Sequence, residues 1–288
     1  MILVTGATGT VGSMLIKRLS ARGENVRAFV RNAQHKISFP GVEFFQGDFR
    51  DPASFVAALE GVDRLFLLIP SSAEVEGQQK AFVDAAKKRK LRHIVNLSQL
   101  GANKKSKGRF QRYHGVVENY IRKSGLAFTF LRPNLFMQAL LKFRSTISSQ
   151  GALFAPAGEG RVSLVDVRDI AAVAERALTE SGHAGKTYAI TGPQALSHSE
   201  IAAELSEALG KPIRHVDISP NKMRETLLSF GVPPWQVDGI VEDYEQYRNG
   251  EAAEVTSDVK QVTGREPHTF AEFARDYAEV FQTRAASA

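Results

Sequence analysis

Residues 1–12 read MILVTGATGTVG, and the fold turns on how they are parsed. Met1 to Thr5 is a short apolar, β-branched run that suits a buried strand. From Thr10 to Arg22, apolar residues fall at Val11, Met14, Leu15 and Leu19, a helical spacing. Between the two, Gly6, Gly9 and Gly12 stand in the pattern G-x-x-G-x-x-G. Gly6 lets the chain turn sharply off the strand, Gly9 admits a ligand close to backbone amides, and Gly12 lets the helix pack against the strand. The helix N-terminus offers free N–H groups and the positive end of its dipole, which suits a pyrophosphate. A strand, glycine loop and helix in this order predict a dinucleotide site built from Gly6, Thr8, Gly9, Thr10, Val11 and Gly12.

The alternation continues outward. Residues 25–30, 42–46, 64–69, 93–97 and 128–131 read as strands, and 52–59, 75–88 and 111–123 as helices. Strands and helices at this spacing indicate a parallel sheet covered on both faces. After Pro133 the rhythm changes: 138–149 reads as helix, 166–179 as a helix rejoining the sheet, and 187–190 as a strand. Helices dominate from Ser197, where Ser197 and Glu200 form a capping-box pattern. The expected fold is α/β: a Rossmann doubly wound parallel sheet with a smaller, mostly helical C-terminal substrate lobe. Residues 1–133, rejoined by about 161–192, make the NAD(P)-binding domain, and 134–160 with 193–288 make the lobe. The tail 284–288 is expected to fray.

Composition narrows the function. Of the 288 residues 43% are apolar and 24% charged, ordinary for a soluble globular protein. No apolar run approaches the roughly 18 residues of a membrane helix, so no membrane partner is expected. The opening residues lack the basic region and apolar stretch of an export signal, and cysteine is absent; both suit a cytoplasmic protein. Without cysteine, disulfides and thiol nucleophiles are excluded. The seven histidines show no ligand spacing, so no metal is expected; His93, His183, His198 and His215 read as isolated surface or turn residues. Much of the net charge of +6 lies in Lys87-Lys88-Arg89-Lys90 and in residues 103–109. Neither run has interleaved aromatics, so they read as a cationic helix end and a solvated loop rather than a nucleic-acid surface.

The second strand ends in Arg31-Asn32, where an NADH site would place a carboxylate for the ribose 2′-hydroxyl. A guanidinium there suits a 2′-phosphate, so NADPH is expected over NADH. Asp48 and Phe49 follow the third strand, where Asp48 could accept from the adenine amino group and Phe49 line the ring. Ile69, Pro70 and Ser71 end the fourth strand, at the sheet edge where ligands of open α/β folds lie.

Taken together, TGATGTVG, VRN, GDFRD, LLIP, HIVNLS and SGLAFTFLRPNLFM resemble the NmrA-like group of atypical short-chain dehydrogenases/reductases across nearly the whole chain. Within that group the sequence is most similar to bacterial NAD(P)H-dependent quinone, azo-dye and triphenylmethane-dye reductases. The resemblance implies that Ser98, Pro133 and Asn134 border the nicotinamide end, and that Phe136 and Met137 face the substrate.

The parent superfamily uses a tyrosine and a lysine four residues later, with the ammonium lowering the tyrosine pKa. Here Tyr113 is followed at that spacing by Val117, so alcohol oxidoreduction and sugar epimerisation are disfavoured. His114 and Glu118 share one helical face and resemble a pattern of the dye and quinone reductases. Either the carboxylate keeps the histidine cationic as a proton donor, or the two are an exposed i,i+4 pair. Tyr113, His114, Glu118 and Ser98 are the candidate catalytic residues. An apolar cleft of Phe136, Met137, Leu140 and Leu141, with Trp235 or Phe230 as a lid, would hold a flat aromatic or quinonoid acceptor face-on for hydride transfer. The alternative is a non-catalytic NADP(H)-binding redox sensor of the NmrA type. Either reading fits a monomer or a homodimer.

Overall fold

A computed structural model of the chain describes residues 1–32 and 39–283. The chain divides into two compact units: Met1–Pro133 with Val167–Ala189, and Asn134–Asp166 with the described part of Ile190–Ala288. The expected tail, 284–288, lies outside the described residues.

The first unit alternates as its periodicity dictates: β1 (Ile2–Val4), α1 (Thr10–Ala21), β2 (Val26–Val30), β3 (Val42–Gln46), α2 (Pro52–Ala58), β4 (Arg64–Leu67), α3 (Val75–Lys88), β5 (His93–Leu97), α4 (Arg109–Ser124) and β6 (Phe128–Pro133). The central strands are sealed on both faces; Leu3, Val4, Leu65, Phe66, Ile94 and Val95 are fully buried, which is why they read as continuous apolar runs. The sheet order is β3-β2-β1-β4-β5-β6-β9, with β9 at Lys186–Ile190. β1 pairs in parallel with both β2 and β4, so the strand order reverses there and a crevice opens at the carboxyl ends. α6 (Val167–Thr179) packs on α1. The buried Glu175 carboxylate accepts from Arg18 Nε at 2.5 Å and from Arg22 Nη1 at 2.8 Å.

The second unit starts with a 3-10 helix (Met137–Phe143), α5 (Arg144–Gln150), β7 (Ala152–Ala155) and β8 (Arg161–Val162). After β9 come β10 (Leu196–Ser197), α7 (His198–Leu209), β11 (Arg214–Asp217), α8 (Pro220–Ser229), α9 (Pro234–Arg248), α10 (Asp258–Thr263), α11 (Phe270–Asp276) and α12 (Ala278–Gln282). The capping box at α7 forms as its spacing predicts, with Ser197 N–H donating to Glu200 Oε2 at 2.8 Å and Glu200 N–H to Ser197 Oγ at 3.2 Å. Ile147, Leu153, Ile201, Leu205, Phe273 and Phe281 form its fully buried core.

Two local expectations need correction, and one strand is unexpected. The single helix read at 138–149 is a 3-10 turn followed by α5. β11, with sequence RHVD, has one aliphatic residue, so period alone misses it; it pairs in parallel with β7, and His215 Nε2 lies 2.9 Å from Ala155 O. His198 is fully buried rather than at a surface or turn, with neither ring nitrogen hydrogen-bonded and its ring 5.4 Å from that of His215; His93 and His215 are half-buried strand residues of β5 and β11 rather than surface or turn residues.

Candidate active site

The glycine loop is shaped by close approach. Gly6 sits at φ 62°, and a Cβ there would lie 2.8 Å from Leu68 Cγ. A Cβ on Gly12 would lie 2.1 Å from Gly6 O, so only glycine lets α1 meet the turn. Gly9 is the helix N-cap, is exposed, and leaves the first turn with no side-chain cap and no acidic residue. Exposed Thr8 and Thr10 flank it, while Val11 is buried against the sheet. This cradle fits a pyrophosphate: the first turn of α1 has no side-chain cap and no acidic residue, and exposed Gly9 puts no side chain in front of it. Thr5, which the motif reading passes over, is fully buried. Its hydroxyl lies 3.1 Å from Phe66 O and 3.0 Å from Leu68 O and accepts Leu68 N–H at 2.8 Å, tying the end of β1 to that of β4. Beyond β4, Ile69 is buried, Pro70 exposed and Ser71 half-buried.

At the end of β2, Arg31 is exposed. The β2–β3 register sets Val30 opposite Gln46, and Gly47 N–H donates to Val30 O at 2.9 Å. Asp48 follows, its carboxylate already engaged by Arg50; those hydrogen bonds, with a smaller contribution from nearby Arg31, hold its pKa down at about 2. Phe49 packs on Phe29 and Phe82, ring centroids 5.1 and 6.1 Å away. Neither the β2–β3 connection nor the stretch from the end of β3 to Asp51 carries an acidic residue other than this neutralised one; Asp51 caps α2 by accepting Ala53 N–H at 3.0 Å. The residues therefore fit a dinucleotide that carries a 2′-phosphate.

The far end of the sheet edge differs from both sequence alternatives for His114 and Glu118. The two are not partners, and they are not an exposed pair. Glu118 is buried and accepts from Ser98 Oγ at 2.7 Å, Arg132 Nε at 2.8 Å and Arg132 Nη2 at 2.6 Å. Its i,i+4 neighbour is Arg122, 3.5 Å away. His114 Nδ1 is buried without a hydrogen-bond partner. Burial, with the charge of Arg132 adding to it, pushes the imidazole pKa down to about 3, so His114 is neutral rather than cationic. Ser98 commits its proton to a carboxylate, so toward any ligand it can only accept. Tyr113 is buried, its hydroxyl is 3.0 Å from Ser71 Oγ, and its ring lies 4.0 Å from that of His114. Val117 is fully buried, so the place of the superfamily lysine belongs to the core. Arg132, within the LRP of β6, is the cation of this cluster; nothing in its own sequence neighbourhood marks it.

Pro133 is buried at the end of β6. In the second unit, the Asn134 side chain is fully used: Nδ2 donates to Ser163 Oγ and Ala252 O, both at 2.8 Å, and Oδ1 accepts Leu135 N–H at 2.8 Å. Its role is to join three chain segments rather than to offer its amide to a ligand. Met137 and Leu140 are sealed in the core cluster, whereas Phe136, Leu141 and Trp235 are half-buried and Phe230 is 79% exposed. Among the described residues no cluster of three or more metal-ligating side chains occurs, and no helix is long and apolar enough to cross a membrane.

A glycine cradle at the switch point of a parallel sheet defines a dinucleotide-binding α/β protein. Within that class the chain belongs to the NmrA-like family, whose model matches residues 1–274. It is 39% identical over 283 residues to the NAD(P)H azoreductase of Xenophilus azovorans, with 98% of this chain and 99% of that protein covered. Triphenylmethane reductase of Citrobacter sp. superposes with a TM-score of 0.85 at 28% identity, covering 96% of this chain and 99% of that one. The NADPH-dependent quinone oxidoreductase QOR2 of Escherichia coli, solved with NADPH, gives 0.84 at 27% identity with the same coverage of 96% and 99%. The family read from the motifs is thus the one the chain matches.

Proposed function

We propose that this protein is an NADPH-dependent reductase that passes hydride directly to a flat electrophilic acceptor of the quinone or dye class. The observation that carries this reading is a glycine cradle joined, along one sheet edge, to an exposed guanidinium where an NADH site needs a carboxylate. The azoreductase and quinone-reductase relatives support the same chemistry.

In this reading the backbone at Thr8, Thr10, Val11 and Gly12 holds the pyrophosphate, and Arg31 grips the 2′-phosphate through charge-assisted bonds. Asp48 and Phe49 flank the adenine, while Ile69, Pro70 and Ser71 line the middle of the cofactor. Ser98 offers a lone pair to an N–H or O–H donor at the nicotinamide end, which the Pro133–Asn134 backbone borders. The reduced nicotinamide supplies the hydride when bound. The Tyr113 hydroxyl, tied to Ser71, holds a polar group at this edge, and the buried, neutral His114 ring packs beside it. Of the residues expected to hold the acceptor, Phe136 and Trp235 are half-buried and Phe230 exposed within the second unit, while Met137 and Leu140 lie in its core. Quinones and azo dyes accept hydride readily, so solvent can deliver the accompanying proton.

The test is to mix the protein with NADPH and a panel of quinones and azo dyes and follow the nicotinamide absorbance. Acceptor-dependent oxidation is expected. Tight NADPH binding without oxidation by any acceptor would overturn the assignment in favour of a redox sensor.

A further inference from the structure

The loop after β3 carries an arginine whose place the cradle and Arg31 do not explain. Because Val30 lies opposite Gln46 and Gly47 N–H bonds to Val30 O, the chain leaves the sheet at Arg31 and at Asp48 side by side. A bare carboxylate at this place would oppose a dianionic 2′-phosphate, as an acidic residue does in sites selective for the unphosphorylated ribose.

Asp48 is held where it stands. Its N–H donates to Ser54 Oγ at 3.0 Å, and the Ser54 hydroxyl lies 3.0 Å from Asp48 O and 2.8 Å from Asp51 O. A Cβ at the preceding Gly47 would sit 2.3 Å from the Phe29 ring, so the backbone has no slack on that side. The Asp48 charge must therefore be matched in place. The Arg50 guanidinium does this with two bonds, Nε to Asp48 Oδ1 at 3.1 Å and Nη2 to Oδ2 at 2.8 Å, and the Arg50 backbone N–H adds a third to Oδ1 at 2.8 Å.

We propose that Arg50 is a specificity-determining positioning residue: by neutralising Asp48 it lets the site accept a 2′-phosphate, while Arg31 supplies the attraction. This rests on the NADPH reading above. The Arg50 side chain is 79% exposed, so the pair adds little to stability and its effect falls on ligand choice. One unit charge facing a doubly charged phosphate several ångströms away in water is worth about tenfold in affinity.

Calorimetry with 2′,5′-ADP and with 5′-ADP tests this on the full chain, on Arg50→Ala and on the Asp48→Asn/Arg50→Ala double variant. The expected result is that Arg50→Ala weakens 2′,5′-ADP about tenfold, leaves 5′-ADP within about twofold, and that the double variant recovers most of the loss. Equal losses on both ligands, or none, overturn the proposal. A loss the double variant does not recover also overturns it, since Arg50 would then touch the phosphate itself. An unaltered chain that binds 5′-ADP but shows no preference for 2′,5′-ADP sinks the NADPH reading instead, whatever Arg50 does.

Discussion

The two ends of the sheet's carboxyl edge are built by opposite means. At the β1–α1 and β2–β3 end, backbone geometry does the shaping, and the charges of Arg31 and Arg50 stand in the open. At the β5–β6 end, Ser98 just beyond β5, Glu118 of α4 and Arg132 of β6 meet around a buried carboxylate. Charges in water are weak and can be changed singly, whereas a buried carboxylate is strongly coupled to each of its partners. The first end is thus free to tune ligand preference, and the second is bound up with the integrity of the unit.

The sharpest break of this contrast is at Glu118. Glu118→Ala leaves Arg132 without its buried counter-charge and should cost about 3–5 kcal/mol in chemical denaturation. A loss below about 1 kcal/mol would mean that the cluster behaves like a surface pair.

Next in size is an acid dependence carried by buried imidazoles. His114 and His198 both have pKa values pushed down to about 3 in the fold, against about 6.5 unfolded. A depressed histidine pKa means that the unfolded chain binds the proton first. Stability is therefore complete above pH 6.5 and falls as pH drops toward 3, by up to about 1.4 kcal/mol per pH unit for each histidine. Denaturation midpoints between pH 6.5 and 5 should decline, and His198→Phe should make the slope shallower while the lowered pKa values of His114, His93 and His183 keep part of it. A flat profile over that range would refute the buried neutral imidazoles.

The smallest effect belongs to the open end. Arg31→Ala should weaken NADPH about tenfold by calorimetry while leaving NADH nearly unchanged and the melting temperature within about a degree. Equal weakening of both cofactors would remove Arg31 from the 2′-phosphate.

Legibility follows the same division. Gly6 and Gly12 announce their site because backbone contact tolerates no other residue, and Arg31 is read from its place after a recognisable strand. The strands and helices of the first unit emerge to within a few residues, since buried parallel strands are apolar throughout. His114 and Glu118 misled because helical spacing shows which residues share a face but not what lies opposite. The hydrogen-bond partners of Glu118, Ser98 and Arg132, lie outside its helix. β11 escaped because its pairing with β7 relies on backbone bonds rather than on an apolar pattern.

The Glu175 clamp bears on how the chain is made. α6, which grips the far end of α1, and β9, which flanks β6, are both translated after residues 134–166. A ribosome that has released only the first 133 residues presents a sheet with an open rim and a helix with a bare flank. The nucleotide-binding half must wait, unfinished and prone to stray pairing, until the returning segment emerges, so chaperone engagement should peak in that interval of synthesis.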